Sequence, residues 1–148
     1  MKIIFTADRS IESWLIRFFT RSKFSHCAIV DCFSNTIIDS DFSKGGVTEY
    51  EFKNVILRST LYEEFDLPCA PNTIIELVRT QIGKPYDILA VILLPFRRSW
   101  KDDTKWFCSE LIAWAFKEVG CNLLHKKHYR VTPEDLYLAL KEYKLKNC

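Results

Sequence analysis

Hydrophobic residues along this chain change rhythm near its middle. The first half carries short apolar runs, and the second half carries apolar residues at helical spacing. Lys2 to Thr6 reads as a short strand. Ser10 then stands as an N-cap before Ile11, Trp14, Leu15, Phe18 and Phe19, the i, i+3, i+4, i+7, i+8 stripe of an amphipathic helix. His26 to Phe33 is β-rich and nearly uncharged. Ser34-Asn35 has turn chemistry, and Thr36 to Ser40 reads as the return strand. A turn centred there sets positions 30 and 39 opposite each other. Gly45-Gly46 breaks the chain again, before strands near Val47 to Phe52 and Val55 to Tyr62.

From Pro71 onward the spacing is helical. Pro71 to Gln81 carries Ile74, Ile75, Leu77 and Val78; Asp87 caps Ile88 to Leu94; Phe107 to Val119 stops at Gly120, a natural left-handed terminator. Thr132-Pro133-Glu134-Asp135 opens the last helix with a cap, a proline at its first position and acid in its first turn. The expected fold class is α+β, a small, largely antiparallel sheet packed against helices.

Composition narrows the class. A chain of 148 residues with 48% hydrophobic and 14% aromatic residues is the size of one domain, 1–148, and builds a core without metals or disulfides. A net charge of +2 argues against a dedicated nucleic-acid binder. None of the six cysteines forms a C-x-x-C pair, which suits free thiols in a reducing compartment. Met1 to Arg9 has no signal-peptide pattern, and the longest apolar run, Ile88 to Phe96, falls well short of the roughly 20 residues a span needs. A cytoplasmic protein without stable membrane insertion is expected.

Candidate chemistry begins at Cys108. It opens Cys108-Ser109-Glu110-Leu111-Ile112-Ala113-Trp114-Ala115-Phe116, whose middle is apolar on every side and so belongs to a buried helix. A cysteine in the first turn of such a helix faces unpaired N–H groups and the positive end of the dipole, which favour thiolate and can hold an oxyanion. The competing reading is a buried small hydrophobe. His26 lies at the mouth of a buried strand, whereas His125 and His128 lie in a lysine-rich stretch, so His26 is the better base. Asp39 shares the face of His26, and Asp41 has the same parity, so either carboxylate can orient the ring.

These residues also resemble a family. Ile4-Phe5-Thr6, Leu15 to His26, Ile37-Ile38-Asp39-Ser40, Gly45-Gly46-Val47, Gly83-Lys84-Pro85-Tyr86-Asp87, Phe107-Cys108-Ser109-Glu110-Leu111 and Thr132-Pro133-Glu134-Asp135-Leu136 are similar, in that order, to motifs of the circularly permuted NlpC-type cysteine hydrolases. These are also called YiiX-like, and are relatives of the lecithin–retinol acyltransferases. The resemblance implies a papain-like fold with the nucleophile at the N-terminus of a buried helix. It implies Cys108 as nucleophile, His26 as base, Asp39 as orienting acid where many members carry Glu, and Tyr86 as an oxyanion donor. Ser25, Ser109 and Trp100 are the expected substrate contacts. Cys27-Ala28 after the histidine, in place of the more usual Val-Gly, is a departure.

No cofactor is expected. Cys121, His125 and His128 have a spacing conceivable for zinc but lack a fourth ligand and are flanked by Lys126 and Lys127. Phe96 to Lys101 reads as a solvated loop that can wall the groove. The expected activity is hydrolysis of a peptide-like or other amide through an acyl-thioester. An acyltransferase or lipid-ester hydrolase using the same residues, and a non-catalytic binding module using the same groove, are the alternatives. The sequence leaves the oligomeric state open.

Overall fold

The computed structural model describes residues 1–53, 59–67, 72–88, 104–121, 123–124 and 131–147. Trp100, His125 and His128, most of the Ile88 to Leu94 helix and the Phe96 to Lys101 stretch lie outside these residues. Among the described residues there are five strands: β1 (Lys2–Ala7), β2 (His26–Asp31), β3 (Thr36–Asp41), β4 (Gly46–Glu51) and β5 (Leu61–Asp66). Four helices accompany them: α1 (Ile11–Thr20), α2 (Thr73–Arg79), α3 (Cys108–Glu118) and α4 (Pro133–Asn147). The strands form one antiparallel sheet in the order β4-β3-β2-β1-β5. No helix among the described residues is long and apolar enough to cross a membrane.

Strand alternation splits the core. Ile3, Phe5, Cys27 and Ile29 face a large cluster shared with Leu111, Ile112 and Phe116 of α3 and Leu136 of α4. Ile4, Ala28, Val30 and Ile37 face the other way, into a thin cluster covered by Tyr50, Phe52 and Tyr62. Helix α3 is buried from Cys108 to Ala113, as its all-round apolar pattern predicts. At α4, Thr132 and Asp135 cap each other: the Thr132 N–H and hydroxyl donate to the Asp135 carboxylate, and the Asp135 N–H donates to Thr132 Oγ1.

Three expectations change. The β2–β3 hairpin is in register Asp31↔Thr36 and Val30↔Ile37, so residue 39 does not face residue 30. The reason is a four-residue turn, with Asn35 at φ 56° and the Asp31 carboxylate accepting from the Phe33 N–H and the Ser34 hydroxyl. Face parity survives this two-residue slip, because side chains alternate with period two. The last strand is Leu61–Asp66 rather than Val55 to Tyr62, and residues 54–58 are outside the description. Helix α1 forms on its Ser10 cap, whose side chain accepts from the Ser13 N–H, but its polar side packs inward. The predicted apolar stripe points away from the body.

A strap ties the sheet to α3. Gly46 approaches the 84–85 backbone so closely that a Cβ would lie 2.1 Å from the Lys84 carbonyl oxygen. That contact lets the Val47 N–H donate to Lys84 and the Tyr86 N–H donate to Gly45. Trp106 continues the strap by exchanging backbone bonds with Pro85 and Asp87, and the Ser40 hydroxyl donates to its carbonyl at 2.6 Å. Two residues later the chain enters α3 at Cys108.

Candidate active site

The strap and the hairpin together deliver five side chains to one place: Cys108 from α3, His26 and Cys27 from β2, Asp39 from β3 and Tyr86 from the strap. His26 Nε2 lies 2.8 Å from Asp39 Oδ2. With Nε2 engaged there, Nδ1 is the nitrogen left to act on Cys108, and the ring and thiol are close enough to shift each other's titration. Asp39 therefore takes the orienting position, while Asp41, one β-repeat further on, acts on the ring only through its charge. Parity explains why sequence allowed both, and the hydrogen bond separates them.

Electrostatics favour an ion pair. Burial pushes the Cys108 thiol up, but hydrogen bonds from the Cys27 thiol and the His26 ring, the imidazolium charge and the Cys27 N–H outweigh it, bringing it down to about 5. Burial pulls His26 down, and its bonds to Asp39 and Cys108 more than reverse this, holding it well above the ordinary histidine range. Burial, with the nearby charges of Cys108 and Asp41, raises the Tyr86 phenol well above its usual value, so it stays a proton donor. Its ring packs edge-on against Phe107, the N-cap residue of α3, and against Phe42.

Four contributors escaped the sequence reading. Tyr50 donates its hydroxyl to Asp39 Oδ2 at 2.5 Å. Lys44 reaches Asp39 at 3.7 Å and Asp41 at 3.6 Å, with its ammonium 3.2 Å from the centre of the Tyr50 ring. Cys27 gives both a thiol and a backbone N–H to Cys108. Glu110, buried in the first turn of α3, accepts from the Phe107 N–H; burial and the charge of Asp87 raise it to about 8. Strand parity was the available signal for Tyr50, since β3–β4 pairing sets it beside Asp39. Nothing local marks Lys44 or Glu110.

A groove of about 640 Å³ opens onto this cluster between α1 and the β3–β4 turn. Ser10, Ser13 and Ile16 line one wall, Asp41, Phe42 and Lys44 the other, and His26 and Tyr86 its floor. Cys108 lies behind that floor with 1% of its surface exposed. The expected substrate contacts fare unevenly. Ser25 lines the groove, but its hydroxyl bonds Ser13 at 2.7 Å and is buried. Ser109 is a correction: it is fully buried, its hydroxyl donates to the Val131 carbonyl, and it ties α3 to the start of α4. The second position of a helix lying on a core points inward, away from the groove. Trp100 is outside the described residues.

No protein-family model matches the sequence, and comparison with curated proteins gives no significant match. Among solved structures the fold is similar to that of the metalloprotein YiiX from Escherichia coli O157:H7, with a TM-score of 0.63. That alignment covers 99% of this chain and 82% of that one, at 22% identity. This is a YiiX-like fold.

His26, Asp39 and Asp41 place three possible metal donors within 4.8 Å of one another. Asp39 Oδ1, buried without a hydrogen-bond partner among the described residues, is the feature that suits a cation best. Two observations oppose a metal. The Lys44 ammonium already stands within 3.7 Å of both carboxylates. Two donors on one tetrahedral zinc lie about 3.3 Å apart, whereas Nε2 and Oδ2 are separated by 2.8 Å, the length of a charge-assisted hydrogen bond. Nε2 and Oδ2 are therefore spaced as a hydrogen-bonded pair and not as two ligands of one tetrahedral zinc.

Proposed function

We propose that this chain is a cysteine hydrolase of the permuted NlpC type, papain-like in its arrangement, acting on a peptide-like or other amide. The observation that carries the reading is that His26, bonded to the buried carboxylate of Asp39, lies beside the buried thiol at the start of α3.

In the proposed reaction the Cys108 thiolate attacks the carbonyl carbon and forms a tetrahedral adduct. The N–H groups of the first turn of α3 and the Tyr86 hydroxyl face the developing oxyanion. His26, protonated in the resting pair, gives its proton to the leaving amine, and the C–N bond breaks to leave an acyl-thioester. It then takes a proton from water as that water attacks the thioester, which restores the thiolate. Asp39 keeps the ring oriented and stabilises its charge throughout. The sulfur sits beneath His26 and Tyr86, so productive binding opens the floor of the groove. An amine or alcohol in place of water makes the same site an acyltransferase.

Cys108→Ala and His26→Ala are expected to abolish both turnover in an amide and ester substrate screen and labelling by an acyl-phosphonate probe. Turnover surviving in both variants would refute the mechanism. Labelling spread evenly over the six cysteines of the native protein would favour a binding module instead.

A further inference from the structure

Helix α1 is assembled inside out. A surface helix ordinarily buries its apolar stripe, yet α1 buries Ser13 and half-buries Ile16 and Thr20. The opposite side presents Ile11 at 75%, Trp14 at 59%, Leu15 at 37%, Phe18 at 63% and Phe19 at 42% exposure. On a helical wheel the two sets are diametrically opposed, so the stripe faces directly outward. The aromatics are organised: Trp14 and Phe18 stack at 5.4 Å, and Phe19 meets Phe18 edge-on. Polar anchors hold this orientation, since Ser13 Oγ donates to Ser25 and accepts from the Asp8 N–H.

The charge is equally uneven. Residues 8–23 carry Arg9, Arg17, Arg21 and Lys23 against Asp8 and Glu12, an excess of two positive charges. That excess equals the net +2 of the whole chain, so the remaining residues taken together sum to neutrality. Arg17 lies along one edge of the Trp14–Phe18 stack, and Arg21, the left-handed C-cap residue, follows on the same side. An outward Trp/Phe/Leu/Ile face with arginine along one edge suits a helix that lies in the lipid headgroup layer.

We propose that α1 docks this protein flat on an anionic membrane surface, with Trp14 and Phe18 as its apolar anchors and Arg17 and Arg21 engaging lipid phosphates. A second copy fits less well, because pairing two α1 faces sets the same cationic rim against itself. The inner side of α1 forms one wall of the groove, so a docked molecule holds that groove beside the lipid surface. The surface is independent of the chemistry proposed above and stands whether or not Cys108 is a nucleophile.

The test is vesicle co-sedimentation of the full chain. Phosphatidylcholine vesicles are compared with vesicles that also contain phosphatidylserine, over a range of salt. The native protein is expected to sediment with the anionic vesicles and to release as salt rises. Trp14→Ser with Phe18→Ser is expected to weaken binding more than about tenfold, since two apolar side chains lose their burial. Arg17→Gln with Arg21→Gln is expected to weaken it by less and to flatten the salt dependence. These residues are exposed, so all variants should keep the native melting temperature, and the Cys108→Ala protein should bind as the native one does. Absence of binding to either vesicle type overturns the proposal. So does equal binding by the Trp14/Phe18 variant, or a native dimer that this variant converts to monomer.

Discussion

The β2–β3 hairpin carries an aspartate near each end, and the two could hardly be treated more differently. At the turn end, Asp31 uses both oxygens: Oδ1 accepts from the Phe33 N–H, and Oδ2 accepts from Ser34 and from Arg79 at 2.9 Å. Arg79 also holds Glu49 at 2.7 Å and Glu76 at 3.1 Å, so its charge is shared among three carboxylates. At the open end, Asp39 is 1% exposed, with His26 and Tyr50 both on Oδ2 and no partner on Oδ1 among the described residues. Its cross-strand partner Thr48 likewise has a hydroxyl without a hydrogen-bond partner among the described residues. Folding alone accounts for the first carboxylate. The second is buried with one oxygen unsatisfied, a cost of about 1–3 kcal/mol, and it is the one that holds the ring beside the thiol. The difference separates a carboxylate that closes a turn from one that, in the proposed reaction, serves the chemistry.

Exchanging the roles tests that separation most severely. Asp39→Asn is expected to lower kcat/KM by about 100-fold or more, because the ring loses the charge that orients it and stabilises its protonated form. Asp31→Asn should leave kcat/KM within about threefold. Equal losses in the two variants would erase the distinction. The pH dependence of Cys108 alkylation by iodoacetamide sharpens it. The thiol is held down to about 5, so alkylation should rise through that pH and remain high at neutrality. His26 is raised, so the ion pair persists above the ordinary histidine range and is lost only as pH climbs through the elevated value. In Asp39→Asn the burial of the ring is no longer offset by that carboxylate, and the rise should move toward the ordinary cysteine range. In Asp31→Asn it should stay in place.

Stability should respond in the opposite sense. Arg79→Met leaves Asp31 and Glu49 without their shared cation, and unfolding free energy is expected to fall by about 1–2 kcal/mol with turnover intact. Chemical denaturation checks the first outcome and the substrate screen the second. Tyr50→Phe removes one of two donors on Asp39 Oδ2 and should lower kcat/KM by about three- to tenfold while leaving the melting temperature nearly unchanged.

How much of this was legible follows from the same contrast. Period-two alternation placed His26 and Asp39 on one face, and that inference survived a register error because a slip of two residues preserves parity. Burial of α3 was legible because its apolar residues surround the helix. Parity alone could not choose between Asp39 and Asp41, which lie two apart; the family resemblance pointed to Asp39, and the hydrogen bond to His26 is made by Asp39. Lys44, Cys27 and Glu110 matter through contacts across the fold, which no local spacing encodes. The orientation of α1 was hidden for another reason: a stripe fixes that a helix has two sides, but the Ser13–Ser25 and Ser13–Asp8 bonds decide which side faces in.

Glu110 gives the smallest effect and the sharpest comparison with Asp31, since burial acts on two carboxylates with opposite results. Asp31 sits below its usual value: burial raises it, but donors from Phe33, Ser34 and Arg79 prevail. Glu110 has one backbone donor and two nearby negative groups, Asp87 and Cys108, so burial prevails and it titrates at about 8. A carboxyl raised in the folded state binds its proton more tightly there than in the unfolded chain, so its contribution favours the fold at low pH. It is lost as pH rises from the ordinary glutamate range through about 8. Glu110→Gln, which keeps the shape and neutrality, should flatten the fall in stability over that interval and change kcat/KM at neutral pH by less than about twofold. Denaturant midpoints measured across the interval decide it. An unchanged slope in the variant would mean that Glu110 is already ionised beside the thiolate, and that the start of α3 tolerates two adjacent negative charges.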